Sequence, residues 1–315
     1  TKSIKSSALD QIFAGIQADK LPSLPHVLLV LLDASHTEVI SFDRLSDLIR
    51  KDAALAARVI SAADAAYFGG QGKSLTFERT LVLLGLDTIK TIAITASVQQ
   101  FFSRFDSASA VRQKQFWRNS LTCALLARSI AKLTGYEYED EAYLAGLMHN
   151  IGELIFANNF SEEYHALVDS AESEQQLIKE EEERFGGNRY QAGAWLISGW
   201  NVDPFIADAV LYQNEALDAV GDAHHLVKML YLANVLCNFS ADLDDKAFIA
   251  AEKLFDLNQT LVRDLVARVS EEVAQAAQSM GIQIGEAPED VENGFAVDQD
   301  KQLDLADRVR NIALM

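Results

Sequence analysis

Apolar residues recur along this chain at intervals of three and four, the spacing that places them on one face of an α-helix. Leu121, Leu125, Ile130 and Leu133 follow it, as do Leu144, Leu147, Met148 and Ile151. No run alternates Val, Thr and Tyr between Asn-Gly or Asp-Gly turns, so no hairpin is predicted. The pattern predicts an all-α fold with helices over 4–19, 25–34, 42–51, 53–66, 76–84, 87–103, 109–134, 139–158, 173–185, 189–199, 203–213, 223–240, 259–280 and 300–314. The corner Leu21-Pro22-Ser23-Leu24-Pro25 ends the first of these, because proline removes an N–H donor and disfavours a helical residue before it. Phe68 to Gly72 reads as a turn, and Phe105 to Ala110 as a boundary between lobes. From Gly281 to Gln299 the chain turns acidic and irregular, ahead of an amphipathic stripe of Leu303, Leu305, Val309, Ile312 and Leu314. That last helix is expected to dock on its own chain or to join a second subunit.

Composition narrows the function classes. With 315 residues and 49% hydrophobic content the chain can build a large core or two lobes. Its 46 acidic against 27 basic residues give a formal charge of -19, which repels nucleic-acid phosphates and anionic lipid. The expectation is therefore no nucleic acid and no membrane partner, and encounter with basic protein surfaces. The apolar run Val27 to Leu32 is far shorter than the roughly 20 residues of a membrane span. The opening residues lack the apolar core of a signal peptide, so a cytoplasmic location is expected. Cys123 and Cys237 are far apart in sequence and read as buried thiols of a reducing compartment. The run Glu180 to Glu183 reads as the solvated face of a helix.

One polar pair interrupts an apolar helix, in Gly146-Leu147-Met148-His149-Asn150-Ile151-Gly152-Glu153-Leu154. Buried His and Asn need hydrogen-bond partners or a metal. Glu153, one turn after His149, is the expected partner. His224-His225 follow Asp222, which is expected to cap a helix; adjacent helical residues diverge, so paired ligation by the two histidines is not expected. His26, His36 and His165 sit at element ends and carry no predicted role. Neither a Gly-x-Ser-x-Gly elbow nor a phosphate-cradling GxxxxGK[ST] loop is present.

The polar pair resembles the histidine-aspartate motif of HD phosphohydrolases, GLLHDIGKL in its common form. Further landmarks stand in order: Leu21 to Pro25, Leu48 to Leu55, Ala62 to Gly69, Leu83-Leu84-Gly85-Leu86, Phe116 to Leu121 and Arg184-Phe185-Gly186-Gly187-Asn188. Together they resemble the HDOD domain, the HD-related output domain of bacterial signalling proteins, over about 21 to 240. The resemblance implies a two-lobe helical architecture. Its parts would be an N-terminal helix over 1–20, an N-terminal helical lobe over 21–106, a degenerate HD-like lobe over 107–258, and a C-terminal helical extension with an acidic linker over 259–315.

Carried over position by position, the resemblance places Asn119 at the first metal-binding histidine, and His149 and Asn150 at the histidine-aspartate pair. Arg189 stands where a histidine is usual, Gln213 and Asn214 where two adjacent histidines are usual, and Asn234 at the closing aspartate. Amide oxygens are weak neutral ligands and an arginine adds positive charge, so a lone His149 does not hold a dication against water. The expectation is no catalytic residue, no metal and no cofactor. The N-terminal lobe also departs from the family, with Asp64-Ala65 where Asn-Ser is usual and Ala53 where proline is usual. These changes remove helix-boundary chemistry and can alter which partner the lobe recognises. The resulting expectation is a non-catalytic signal-transduction module, free-standing, acting on unidentified signalling proteins, with a homodimer as one option. Two alternatives stand beside it: a metal-dependent phosphohydrolase acting on a nucleotide or phosphate ester, and a sensor holding a small molecule or anion in the emptied cleft.

Overall fold

The structure, a computed structural model, describes residues 25–37, 41–68, 76–103, 105, 110–200, 202–237 and 245–285. The expected helices over 4–19 and 300–314, the Leu21 to Leu24 corner, the glycine turn after Phe68 and most of the Phe105 to Ala110 boundary lie outside these residues. The described residues form sixteen α-helices and no strand. In chain order they are α1 (His26–Thr37), α2 (Phe42–Arg50), α3 (Ala53–Phe68), α4 (Phe77–Leu84), α5 (Leu86–Phe102), α6 (Ala110–Thr134), α7 (Glu139–Met148) and α8 (Ile151–Asn159). There follow α9 (Ser161–Ser170), α10 (Glu174–Phe185), α11 (Arg189–Ser198), α12 (Pro204–Tyr212), α13 (Leu217–Val220), α14 (His225–Cys237), α15 (Asp245–Phe255) and α16 (Gln259–Ser279).

Local chemistry sets many of the boundaries. Ser41, Thr76, Ser173 and Asn258 each accept a backbone N–H of the first turn that has no partner within the helix. Asn188 and Gln191 form a reciprocal capping box at α11, and Asp203 with Pro204 opens α12. Asp52 accepts from Ala54 N–H and Leu55 N–H, both at 3.0 Å, so α3 starts firmly without a proline at Ala53. Gly85 joins α4 to α5 at 109°, and its φ of +74° is one that a side chain disfavours. No single described helix is long and apolar enough to cross a membrane.

Helices α1, α3 and α4 pack on α5, while α7, α14 and α16 pack on the 25-residue α6. Helix α16 also touches α3, and one continuous cluster of buried apolar residues extends from Val27 to Ile282. Beyond α16 the chain lies against α6: Gly285 N–H donates to Lys114 O at 3.1 Å and Arg118 Nε to Gly285 O at 2.5 Å. Cys123 is buried and Cys237 half-buried, and both are free thiols. Burial, then Cys237, pushes the Cys123 thiol well up; burial pushes Cys237 up to about 12. Neither is a thiolate at neutral pH.

Three helices were not anticipated from periodicity: α9, α13 and α15. The expected helix over 139–158 is two, broken at His149-Asn150. The His149 ring Nδ1 lies 2.8 Å from Gly146 O, the carbonyl that a continuing helix would give to Asn150 N–H. The ring competes for that acceptor, and the chain turns before α8.

Candidate functional site

The break between α7 and α8 lies against the start of α11. Gly152, in the first turn of α8, approaches so closely that a Cβ there would overlap the Arg189 carbonyl and lie 2.6 Å from Arg189 C. This contact brings the Arg189 side chain over α8. Its Nη1 is 3.4 Å from Glu153 Oε1, and its Nε 3.2 Å from Glu181 Oε1. The Arg189 backbone N–H donates to Glu181 Oε2 at 3.0 Å, and the Tyr164 hydroxyl to Glu181 Oε1 at 3.2 Å. Burial opposes the arginine's charge, yet Glu153 and Glu181 hold its pKa above the ordinary value. Burial raises both carboxylates, while Arg189 pulls them back down.

Two expectations are corrected here. Glu181 is 0% exposed and does not share the solvated face of Glu182 and Glu183. The arginine on a helix eight residues later draws it inward, which a run of four acids does not reveal. Glu153 is not the partner of His149; it faces Arg189, because the turn at Asn150 rotates α8 relative to α7. A third correction concerns α14, where Leu226 N–H is met by His224 Nδ1 at 3.3 Å rather than by Asp222. His224 itself stacks on Phe205 with ring centroids 3.7 Å apart.

Asn119, Asn150, Arg189 and Asn234 converge on one polar cavity of about 340 Å³, with Glu153, Glu174 and Tyr190 in its wall. His149 lies buried beneath, its imidazole turned to the Gly146 carbonyl. Gln213 Nε2 bridges His149 O and Val210 O, both at 2.8 Å, and Gln213 O accepts from Asn234 Nδ2 at 3.4 Å. Gln213 therefore ties α12 to α7 and α14. Asn214 is exposed and outside this cavity. The Asn119 Oδ1 accepts from Gln115 Nε2 at 3.0 Å.

These donors do not suit a divalent metal. Asn119, Asn150 and Asn234 are amides, Arg189 is a cation that already faces Glu153 and Glu181, and the imidazole of His149 faces a backbone carbonyl. Among the described residues no three His, Cys, Asp or Glu side chains are placed to hold a metal together.

A second, mainly apolar cavity of about 200 Å³ adjoins the first across Asn119, Glu153, Val168 and Arg189. Phe102, Phe116, Trp117, Leu154 and Tyr164 line it. Phe102 packs edge-on against Phe116 at 5.2 Å and tilted against Trp117 at 5.3 Å between centroids. Sequence reasoning did not single out this aromatic wall, Glu174, Tyr190 or Glu181. The adjacency of Phe116-Trp117 to Asn119 was the available signal.

His149 offers a clean test of this geometry. Burial lowers its pKa from 6.5 to about 4, against the Gly146 hydrogen bond. A depressed folded pKa contributes stability that is present above 6.5 and lost as pH falls toward 4, in total about 3 kcal/mol. His149→Ala is expected to cost about 1 to 3 kcal/mol at pH 7.5 through a lost hydrogen bond and a cavity. That deficit stays constant above pH 6.5 and shrinks between 6.5 and 4, as urea titrations of both proteins would show. A deficit independent of pH throughout would mean that the ring titrates in the folded protein as it does in the unfolded chain, solvated rather than buried.

The sequence model of the HDOD domain matches residues 21–216 of this chain. In fold it is similar to an HDOD domain protein of unknown function from Geobacter sulfurreducens, at a TM-score of 0.69 and 22% identity, covering 93% of this chain and 99% of that one. It is also similar to a protein from Marinobacter aquaeolei VT8 named as a candidate signal transduction protein, at 0.70 and 19% identity, covering 89% and 67%. A candidate phosphohydrolase from Shewanella amazonensis SB2B gives 0.64 and 24%, covering 89% and 99%. At these identities the likeness concerns the fold. An uncharacterized protein of Treponema pallidum (strain Nichols) is 22% identical over 242 residues, 76% of this chain. The chain spans only 45% of the length of that relative.

Proposed function

We propose that this chain, which belongs to the HDOD domain family, is a non-catalytic signal-transduction module that works by binding other proteins in the cytoplasm. The observation that carries this reading is the donor set of the polar cavity. Asn119, Asn150 and Asn234 present neutral amides, and Arg189 already holds two carboxylates. Phosphoryl hydrolysis of the HD type needs a metal that lowers the pKa of bound water and neutralises the phosphoryl oxygens. These residues give such a metal neither charge nor an imidazole, and among the described residues the neighbouring Glu153, Glu172 and Glu174 form no group placed to hold one. The name of the Marinobacter relative is in keeping with the signalling half of this reading. The charge of -19 favours basic protein surfaces over nucleic acid or anionic membranes.

A metal-dependent phosphohydrolase is the second reading, supported by the name of the Shewanella relative. Metal analysis separates the two. Protein incubated with Mn²⁺, Fe²⁺, Zn²⁺ or Mg²⁺ and then desalted is expected to keep no stoichiometric metal and to leave a generic phosphodiester intact. One retained metal per chain, with hydrolysis that disappears in His149→Ala, would replace the first reading by the second. Affinity capture with the chain as bait tests the interaction itself; absence of any specific co-purifying protein counts against a binding module.

A further inference from the structure

The wall between the two cavities has an unusual balance. Arg189 is 8% exposed and lines both of them, and its Nη2 has no hydrogen-bond partner among the described residues. A buried guanidinium N–H without an acceptor is costly, so a ligand that supplies an acceptor there is favoured. The acceptor need not be an anion. Arg189 already faces Glu153 at 3.4 Å and Glu181 at 3.2 Å, one cation against two carboxylates. Glu174 and Glu172 add further acidic groups on the polar side, and Arg112, on the apolar side, is paired with Asp169 at 2.6 Å. A carboxylate or phosphate that reached Nη2 would lie close to Glu153. An uncharged acceptor avoids that repulsion.

The same wall asks for a donor. The Glu153 side chain is 34% exposed and, among the described residues, takes a long contact from Arg189 through Oε1 alone. Acceptor capacity therefore remains beside the unpartnered Nη2 donor. Asn119, Asn150 and Asn234 surround the polar side with amides. On the other side stand Phe102, Phe116 and Trp117, which favour a flat, apolar body.

We infer that the paired cavities form a binding site for an uncharged aromatic compound carrying a carboxamide or lactam edge. The C=O of that edge accepts from Arg189 Nη2, its N–H donates to Glu153, and the ring lies among Phe102, Phe116 and Trp117. This site stands apart from the protein-binding role proposed above, which holds whether or not the cleft is filled.

Benzamide and benzoate test it, since they share a shape and differ in charge and in the donor. Titrated into the full chain at pH 7.5 by ligand-observed NMR, benzamide is expected to bind saturably, with a dissociation constant on the order of 1 mM. Benzoate is expected to bind about tenfold more weakly or worse. Glu153→Gln keeps an acceptor for Arg189 and removes the negative charge, so benzoate should gain and the discrimination should narrow to about threefold or less. Leu154→Trp should abolish benzamide binding by filling the apolar cavity, with the thermal midpoint of the variant recorded alongside. The absence of saturable benzamide binding to the native chain overturns the proposal. So does equal affinity for both compounds, or a discrimination that Glu153→Gln leaves unchanged.

Discussion

Gly152→Ala is expected to destabilise the protein by about 3 kcal/mol or more, beyond the usual range for an overpacked site, because rigid backbone occupies the space that the methyl group needs. A Cβ at Gly152 would overlap the Arg189 carbonyl and meet Arg189 C at 2.6 Å and Cα at 2.9 Å. No rotamer change relieves that clash; α8 and α11 must separate. Separation lengthens the Arg189 contacts to Glu153 and Glu181, adding an electrostatic cost to the steric one. Gly146→Ala should be comparably severe, since its Cβ would overlap Ala124 Cα and lie 2.6 Å from Ala124 N, at the crossing of α7 and α6. Gly193→Ala is the control. Its nearest neighbours would be the Ile151 and Val210 methyl groups at 3.1 Å, which can shift, so a cost of about 1 kcal/mol is expected. Equilibrium urea unfolding of the three variants should place Gly193→Ala well apart from the other two. Losses as small as about 1 kcal/mol at all three positions would show that α7 and α8 tolerate displacement. The glycines that accompany the histidine in this motif therefore serve close helix packing, independently of any chemistry.

Much of the fold was legible because long helices with a buried stripe announce themselves through periodicity. Helices α6 and α16 show it best, the latter burying Val262, Leu265, Val269 and Val273. The omissions have physical causes. Helix α9 buries only Tyr164 and Leu167 of its ten residues, too few to define a period. Helix α15 buries three alanines, Ala247, Ala250 and Ala251, together with Phe248 and Leu254, and small residues give a faint apolar signal. The break at His149-Asn150 arises from a side chain that takes a backbone acceptor, and both halves remain apolar in sequence.

The candidate site was legible residue by residue and hidden in its connections. Asn119, Asn150, Arg189 and Asn234, positions that the family resemblance assigned, line one cavity, while Asn214, assigned in the same way, lies outside it. Nothing local indicated that Glu181 would leave an acidic surface to meet Arg189. A buried ion cluster depends on which helices pack together, and a periodicity of three and four carries no such information.

That cluster gives the other large expected effect. Arg189→Leu should cost about 3 to 5 kcal/mol at pH 7.5, because it strands Glu181, which is 0% exposed, without its cation. The pH dependence separates charge from lost packing. Unfolded glutamate titrates near 4.5, and burial raises Glu181 above that in the native protein even with Arg189 present. A raised carboxylate contributes stability below its unfolded pKa and loses it as pH climbs through the folded value. Removing the arginine moves the folded value further up, which widens the window over which stability is lost. The deficit of Arg189→Leu relative to the native chain should thus be largest at pH 7.5 and clearly smaller at pH 5, because burial without the arginine favours the protonated form of Glu181. Adding Glu181→Gln to Arg189→Leu should restore most of the loss at pH 7.5, because the amide keeps an acceptor for the residue 189 N–H and the Tyr164 hydroxyl without a charge. Urea titrations of the single and double variants at both pH values decide the matter. A deficit that is the same at pH 5 and 7.5, and that Glu181→Gln does not reduce, would assign the role of Arg189 to packing alone.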